Sequence, residues 1–211
     1  MTVLIEAHYL PSIAYFAALI GGESMMLERH EHFVKQTYRN RCRIITANGE
    51  LDLIVPITAK HGKVPITDVR LDFTQKWLNN HWRTVQSAYG NAPFFEHYAD
   101  DLHDTLFKRV RFLYDLNRSL LSMCLNWLKW DMPIKETEYY TQAVSNPLLD
   151  LRSAINPKKL DQCYEFYYPV MYNQVFGSTF VENLSLIDLI FCVGPDAGKI
   201  VKASAIPKMN K

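Results

Sequence analysis

The sequence predicts an α/β (or α+β) domain: a mixed sheet with a β-hairpin at about 41–57, packed by a helical middle section and a C-terminal helix. Three observations predict it. Val3-Leu4-Ile5 is a short apolar run of strand composition near the start. Asn48-Gly49 sits between apolar-rich runs, the pattern of a hairpin turn. Between about 75 and 130 three segments carry apolar residues at helical spacing.

The elements follow in order. After Val3–Ile5 the chain exits at Tyr9-Leu10-Pro11, and a short helix is expected over about 12–19, ended by Gly21-Gly22. Met25 to Leu27 reads as a second short strand. A two-residue type I′ turn at Asn48-Gly49 pairs Ala47 with Glu50, Ile44 with Leu53 and Cys42 with Val55. Cys42 and Ile44 then share an apolar face with Leu51, Leu53 and Val55, while Arg41, Arg43, Asp52 and Ile54 take the other. A strand is expected over Ile66–Phe73, after a Gly62-Lys63 turn.

The first middle helix runs from about Gln75 to Tyr89, N-capped by Thr74, with Trp77, Trp82, Val85 and Tyr89 on one stripe. The second starts near Pro93 and spaces Phe94, Tyr98, Leu102 and Leu106 four apart. The third, about 112–130, aligns Leu113, Leu116, Leu120, Cys124 and Trp127 until Asp131-Met132-Pro133 stops it. Residues 134–162 show little periodicity and read as an excursion or flap of a single domain spanning 1–211. Cys163 to Phe176 is aromatic-rich and strand-like, and a last helix is expected over about 184–193, closed by Gly194-Pro195.

Composition narrows the function classes. The 211 residues hold 23 Lys+Arg against 22 Asp+Glu, a formal net charge of +1. Hydrophobic residues make up 48%, which excludes a disordered or low-complexity chain. A balanced charge excludes a polybasic nucleic-acid binder, so no nucleic-acid partner is expected. Cys42, Cys124, Cys163 and Cys192 form no Cys-x-x-Cys pair and read as buried small hydrophobes in a reducing compartment. The apolar start lacks a basic leader segment, carries Glu6 and His8, and is broken by Pro11-Ser12. With no run of about 20 apolar residues anywhere, a cytoplasmic protein without a membrane span is expected. No cofactor fingerprint is present. Gly194-Pro195-Asp196-Ala197-Gly198-Lys199 lacks the length and the final hydroxyl of a phosphate loop and reads as a helix C-cap.

The anomaly is Arg29 to Arg43, where five bases face one acid. This is a local +4, so the rest of the chain sums to −3. On a strand, Arg39, Arg41 and Arg43 would project to one side. Three adjacent guanidiniums repel unless something anionic sits among them, and their forks match phosphate and carboxylate. Two readings stay open: an oxyanion pocket for a nucleotide diphosphate or a ligand carboxylate, or arginines paired with Asp52, Asp68, Asp72 or Asp100-Asp101. His30-Glu31-His32 lacks the spacing of a metal site, so no metal is expected; an imidazole acting as a general base fits better.

Ala7-His8-Tyr9-Leu10-Pro11, Glu31-His32, Lys35-Gln36-Thr37-Tyr38-Arg39-Asn40-Arg41-Cys42-Arg43-Ile44 and Asn48-Gly49 stand out together. With pieces such as Leu53-Ile54-Val55-Pro56, His81-Trp82, Ala92-Pro93-Phe94-Phe95 and Asn183 to Phe191, the chain resembles the WbqC-like family, in the short form common in Bacteroidetes-type bacteria, over most of its length except about 134–162. Two pieces of longer members are missing. Ile5-Glu6-Ala7-His8 stands where many carry His-Gln-Pro-Asn, and a Ser-Gly-containing segment has no counterpart here.

The resemblance implies a role in bacterial surface-polysaccharide (O-antigen) biosynthesis, with acyl or aminoacyl transfer to a nucleotide-linked amino sugar as the chemistry. On that reading Arg39, Arg41, Arg43 and Lys35, with Gln36, hold the sugar nucleotide or other anion. His30 or His32 takes the proton of the attacking amine, while Glu31, Tyr38 and Asn40 orient groups, with Asp68 or Asp188 behind them. The alternative is a non-catalytic anion- or glycan-binding scaffold of the same pathway.

Overall fold

The computed structural model describes residues 1–58, 62–142, 147–177 and 179–206. In chain order the elements are β1 (Thr2–Glu6), α1 (Ile13–Leu19), β2 (Ser24–Glu28), β3 (Arg41–Thr46), β4 (Gly49–Ile54), α2 (Trp77–Tyr89), α3 (Phe95–Phe107), α4 (Leu113–Trp127), β5 (Ile134–Glu136), β6 (Leu148–Asp150), α5 (Leu186–Val193) and α6 (Ala197–Ser204). The class is α/β. One sheet has four strands in the order β5-β2-β1-β6, every neighbouring pair parallel. The hairpin β3–β4 is a separate antiparallel pair.

Val3 and Ile5 of β1 and Met25 and Leu27 of β2 turn one face of the sheet into the main core. α1 is buried at all seven positions, as a helix apolar on every side requires. The outer strands β5 and β6 come from the stretch the sequence leaves without periodicity, within which residues 143–146 lie outside the described residues. Three-residue strands are too short to show a period of two.

The middle section forms as its stripes require. Leu113, Leu116, Leu120, Cys124 and Trp127 of α4 are all buried, and the Trp127 indole donates to Asp101 at 3.1 Å from the side of α3. On α2, Trp77, Val85 and Tyr89 are buried and Trp82 is half-buried. Thr74 does not cap α2. It donates to Asp72 through its amide (2.9 Å) and its hydroxyl (2.6 Å), and the helix starts three residues later, at Trp77.

Three further expectations are corrected. The hairpin turn lies one residue earlier than expected: Thr46 pairs with Gly49, Ile44 with Leu51 and Cys42 with Leu53. Asn48 does not take the positive φ that a type I′ turn needs; Gly49 alone does, at 98°. The Thr46 hydroxyl drives this choice by accepting from the Asn48 amide at 3.2 Å. Partners shift by two, an even number, so the expected faces survive. Ile66–Phe73 is not a strand: Ile66–Asp68 is one 3-10 turn, and Arg70 and Leu71 make isolated bridges to Phe112 and Ile57. Cys163–Phe176 is not a strand either; a 3-10 helix covers Leu160–Glu165 and irregular chain follows.

α5 stitches the domain together. The Ser185 amide donates to Arg43 O (2.8 Å) and its hydroxyl to Leu10 O (2.8 Å), tying the hairpin to the exit of β1. α5 ends at Gly194, as the sequence indicates, but α6 then begins at Ala197. Among the described residues no helix is long and apolar enough to cross a membrane.

Gly194 has φ 56°, and a Cβ there would meet the Phe94 ring at 2.4 Å. Gly194→Ala is expected to destabilise the fold by about 2 kcal/mol or more, read from urea unfolding midpoints.

Candidate functional site

Parallel strands deliver their carboxyl ends to one edge of the sheet, the place where open α/β sheets collect ligands. Here β1 ends on Glu6 and β2 on Glu28. The register sets these two residues side by side, on the face that also carries Leu4 and Met26. Both are buried, with Glu6 1% and Glu28 0% exposed. Adjacent buried carboxylates repel and must be answered by cations.

Two guanidiniums answer them. Arg39, 1% exposed, forks onto Glu31 (Nε to Oε1 2.8 Å, Nη2 to Oε2 2.5 Å) and reaches Glu6 Oε1 at 3.4 Å. The Asn117 amide fixes its backbone, donating to Arg39 O (2.7 Å) and Ala7 O (3.3 Å). Arg152 donates to Glu28 Oε2 at 2.8 Å, holds Asp150, and lies 4.8 Å over the Tyr140 ring. Glu28 Oε1 accepts from the His30 amide and the Thr137 hydroxyl, both at 2.8 Å. The Ser153 amide donates to Glu6 Oε2 at 2.9 Å.

At the centre lies a histidine–carboxylate pair: His8 Nε2 sits 3.2 Å from Glu6 Oε1. Burial pushes the Glu6 carboxyl up, but the His8 bond, the Arg39 charge and the Ser153 amide together bring it down to about 2. Burial lowers His8, and Arg39 adds to that against the pull of Glu6. At neutral pH Glu6 is therefore ionised and His8 neutral. A carboxylate only accepts, so the proton sits on Nε2, a tautomer assigned from this partner. Among the described residues Nδ1 has no hydrogen-bond partner and is left as a bare, buried acceptor. The rings of Tyr15 and Tyr38 flank it at 5.0 and 5.6 Å.

A cavity of about 450 Å³ borders this edge. Leu4 and Met26 line it from the sheet, and Glu28, Thr137, Tyr139 and Thr141 from the edge and the segment after β5.

The expected site residues separate. Arg39 precedes β3 and turns inward, so it does not share a strand face with Arg41 and Arg43. Those two lie on the hairpin's outer face, where Arg43 meets Asp52 at 3.0 Å and Glu50 at 3.1 Å. Arg41 reaches Asp52 at 3.5 Å. Glu31 joins the buried cluster; burial raises its carboxyl, the Arg39 fork opposes this, and Glu6 and Glu28 tip it above its usual value. His30 is exposed and contacts Thr137 O at 3.0 Å, and His32 is exposed beside Pro65.

Lys35 is exposed, and exposed Gln36, at φ 60°, accepts from Lys158. Asn40 donates to Val55 O at 2.9 Å. Tyr38 is buried, which pushes its hydroxyl up to about 12. Asp68 is exposed on its 3-10 turn. Asp188 is buried elsewhere, between the hydroxyls of Tyr89 (2.8 Å) and Tyr172 (2.5 Å). Among the described residues no group of three or more His, Cys, Asp or Glu is placed to hold a metal ion.

Glu6, His8, Glu28, Thr137 and Arg152 form no motif in the sequence. The one readable signal is a glutamate ending each apolar strand, Glu6 after Val3-Leu4-Ile5 and Glu28 after Met25-Met26-Leu27.

Fold and site define a parallel α/β domain with a buried acid–histidine–arginine cluster at the carboxyl edge of its sheet. The WbqC-like protein family matches residues 6–160, which run from the last residue of β1 past β6 and include every member of this cluster, and the chain belongs to that family. It is also similar to "Uncharacterized protein Rv1507c" of Mycobacterium tuberculosis, at 27% identity over 225 residues, 92% of this chain and 94% of that protein. No solved structure matches it.

Removing Arg39 leaves Glu6 and Glu31 uncompensated. Arg39→Met should destabilise the protein by about 3–5 kcal/mol in urea unfolding. The pH dependence follows from Glu6. Its carboxyl is held at about 2 against an ordinary 4.5, so its contribution is full above 4.5 and drains away as pH falls toward 2. His8, held below 6.5, adds a loss that begins as pH drops through 6.5. Glu6→Gln should flatten the stability curve at the acid end, measured as urea midpoints from about pH 5 down to about pH 3.

Proposed function

We propose that the chain is a transferase of bacterial surface-polysaccharide (O-antigen) biosynthesis, acting on a nucleotide-linked amino sugar in the cytoplasm. It would pass an acyl or aminoacyl group from an activated acyl donor to the sugar amine. The family supports the pathway. One observation supports the catalysis: the bare Nδ1 of His8, backed by ionised Glu6, at the carboxyl edge of a parallel sheet.

The roles follow from that geometry. As the amine nitrogen bonds to the acyl carbon and the donor's leaving group departs, the amine proton passes to His8 Nδ1. Glu6 stabilises the imidazolium so formed, as a carboxylate behind a histidine does. His8 thus replaces His30 and His32 as the candidate base. Glu31 and Arg39 hold Glu6 in place. Arg41, with its nearest carboxylate 3.5 Å away and no acceptor for Nε, is the proposed contact for the diphosphate, beside Arg43 and Lys35.

The second reading, a non-catalytic anion- or glycan-binding protein of the same pathway, has its own observation. His8, Glu6 and Arg39 are 0%, 1% and 1% exposed, so the cluster is closed in this state.

One experiment separates the two. The gene is deleted in its own bacterium and complemented with wild type, His8→Asn or Arg41→Gln, and the surface glycan is analysed by mass spectrometry. The transferase reading expects His8→Asn to accumulate as folded protein and to lose the modification, with Arg41→Gln reducing it. Full modification in the His8→Asn strain would sink the catalytic reading and leave the binding one.

A further inference from the structure

On the far side of the hairpin lie two cavities of about 330 and 540 Å³ that share Ser87, Ala88 and Phe176. They form one groove between the hairpin tip, α2 and the 173–176 segment. Each volume falls in the range of small-molecule sites. No carboxylate lines either cavity among the described residues. The lining mixes amide and hydroxyl side chains with apolar ones such as Leu51, Pro93 and Val175, and adds one half-buried aromatic ring, Phe176, and one cation, Arg83. The side chains of Asn48, Arg83, Ser87, Asn91 and Asn173 make no hydrogen bond or ion pair among the described residues.

This groove is built, and Asp188 builds it. Asp188 is buried and accepts from Tyr89 and Tyr172 at 2.8 and 2.5 Å, with Gln174 at 3.4 Å. Gln174 also pairs with Val181 through both ends of its amide, at 2.7 and 2.9 Å. Tyr172 and Gln174 are thus pinned inward. Asn173 between them is exposed and lines the groove next to Gln174.

We propose that this groove binds an acidic oligosaccharide, one that carries acetamido or hydroxyl groups together with a carboxylate. Free amides both donate and accept, which matches sugar hydroxyl and acetamido groups. The Phe176 ring offers an apolar face to a pyranose ring. Arg83 has no carboxylate of its own here and supplies a fork for the acid. The choice of a glycan rests on the reading of the chain as a polysaccharide-pathway protein; the groove and its free groups do not.

The full chain, labelled with nitrogen-15, is titrated with hyaluronan tetrasaccharide, which alternates uronate and acetamido sugars, and in parallel with neutral chitotetraose. Saturable shifts at the amides of Ser87, Asn91, Asn173 and Phe176 are expected with the acidic probe. Phe176→Ala and Arg83→Gln should each weaken it by about tenfold. Ser87→Trp, a change at an exposed site that fills the groove, should abolish it. Chitotetraose should bind more weakly and ignore Arg83→Gln. No shifts at millimolar probe, shifts confined to other surfaces, or equal binding of both probes would each overturn the proposal. His8→Asn should leave the titration unchanged, so a failed transferase reading and a failed groove give different results.

Discussion

The register that sets Glu6 beside Glu28 governs most of the architecture around the sheet. Two apolar strands each end on a glutamate, and parallel pairing brings those ends together inside the protein. In water the two charges would cost little; in a buried edge they demand partners. Arg39 must therefore be drawn in from the segment before the hairpin, and Arg152 from the segment after β6. Each arginine brings its own chain with it. Asn117 on α4 then grips the Arg39 backbone, and Arg152 clamps the stretch after β5 through Thr141 O and the Tyr140 ring. The sheet edge, the hairpin root, α4 and the crossover segment thus depend on one electrostatic requirement.

The same requirement shapes the chemistry. Glu6 is oversupplied with donors, which keeps it ionised; that fixes the proton of His8 on Nε2 and strips Nδ1 of any local partner. Buried polar atoms in native proteins almost always find a partner. Among the described residues His8 Nδ1 and Asn117 Oδ1 are both buried without a partner, and of the two only the imidazole nitrogen is basic enough to take up a proton.

A second buried acid does a different job. Asp188 joins Tyr89 of α2 to Tyr172 and Gln174 in the irregular aromatic stretch, and the Tyr89 hydroxyl also accepts from the Ile45 amide of the hairpin at 3.4 Å. The domain thus has two polar knots. One lies at the carboxyl edge of the sheet; the other holds the hairpin, α2 and the 172–176 segment around a groove lined by free amides.

The sequence by itself determined the local elements whose signal repeats. The stripes of α2, α3 and α4 place their helices, and the alternating faces of the hairpin survive even a displaced turn, because a shift of two partners preserves parity. It also offered Arg39, Glu31, Tyr38 and Asp188 as candidate site residues, the last three through the family resemblance. β5 and β6 are too short to carry a period, and the aromatic run at 163–176 is shaped by Asp188, which is distant in sequence. Arg39 looks like one of three equal guanidiniums until tertiary structure turns it inward, away from Arg41 and Arg43. Only the folded chain decides this, because whether a charge is buried depends on which carboxylates come to surround it. Glu6, Glu31 and Arg39 are separated in sequence by up to 33 positions and meet only where parallel strands end together.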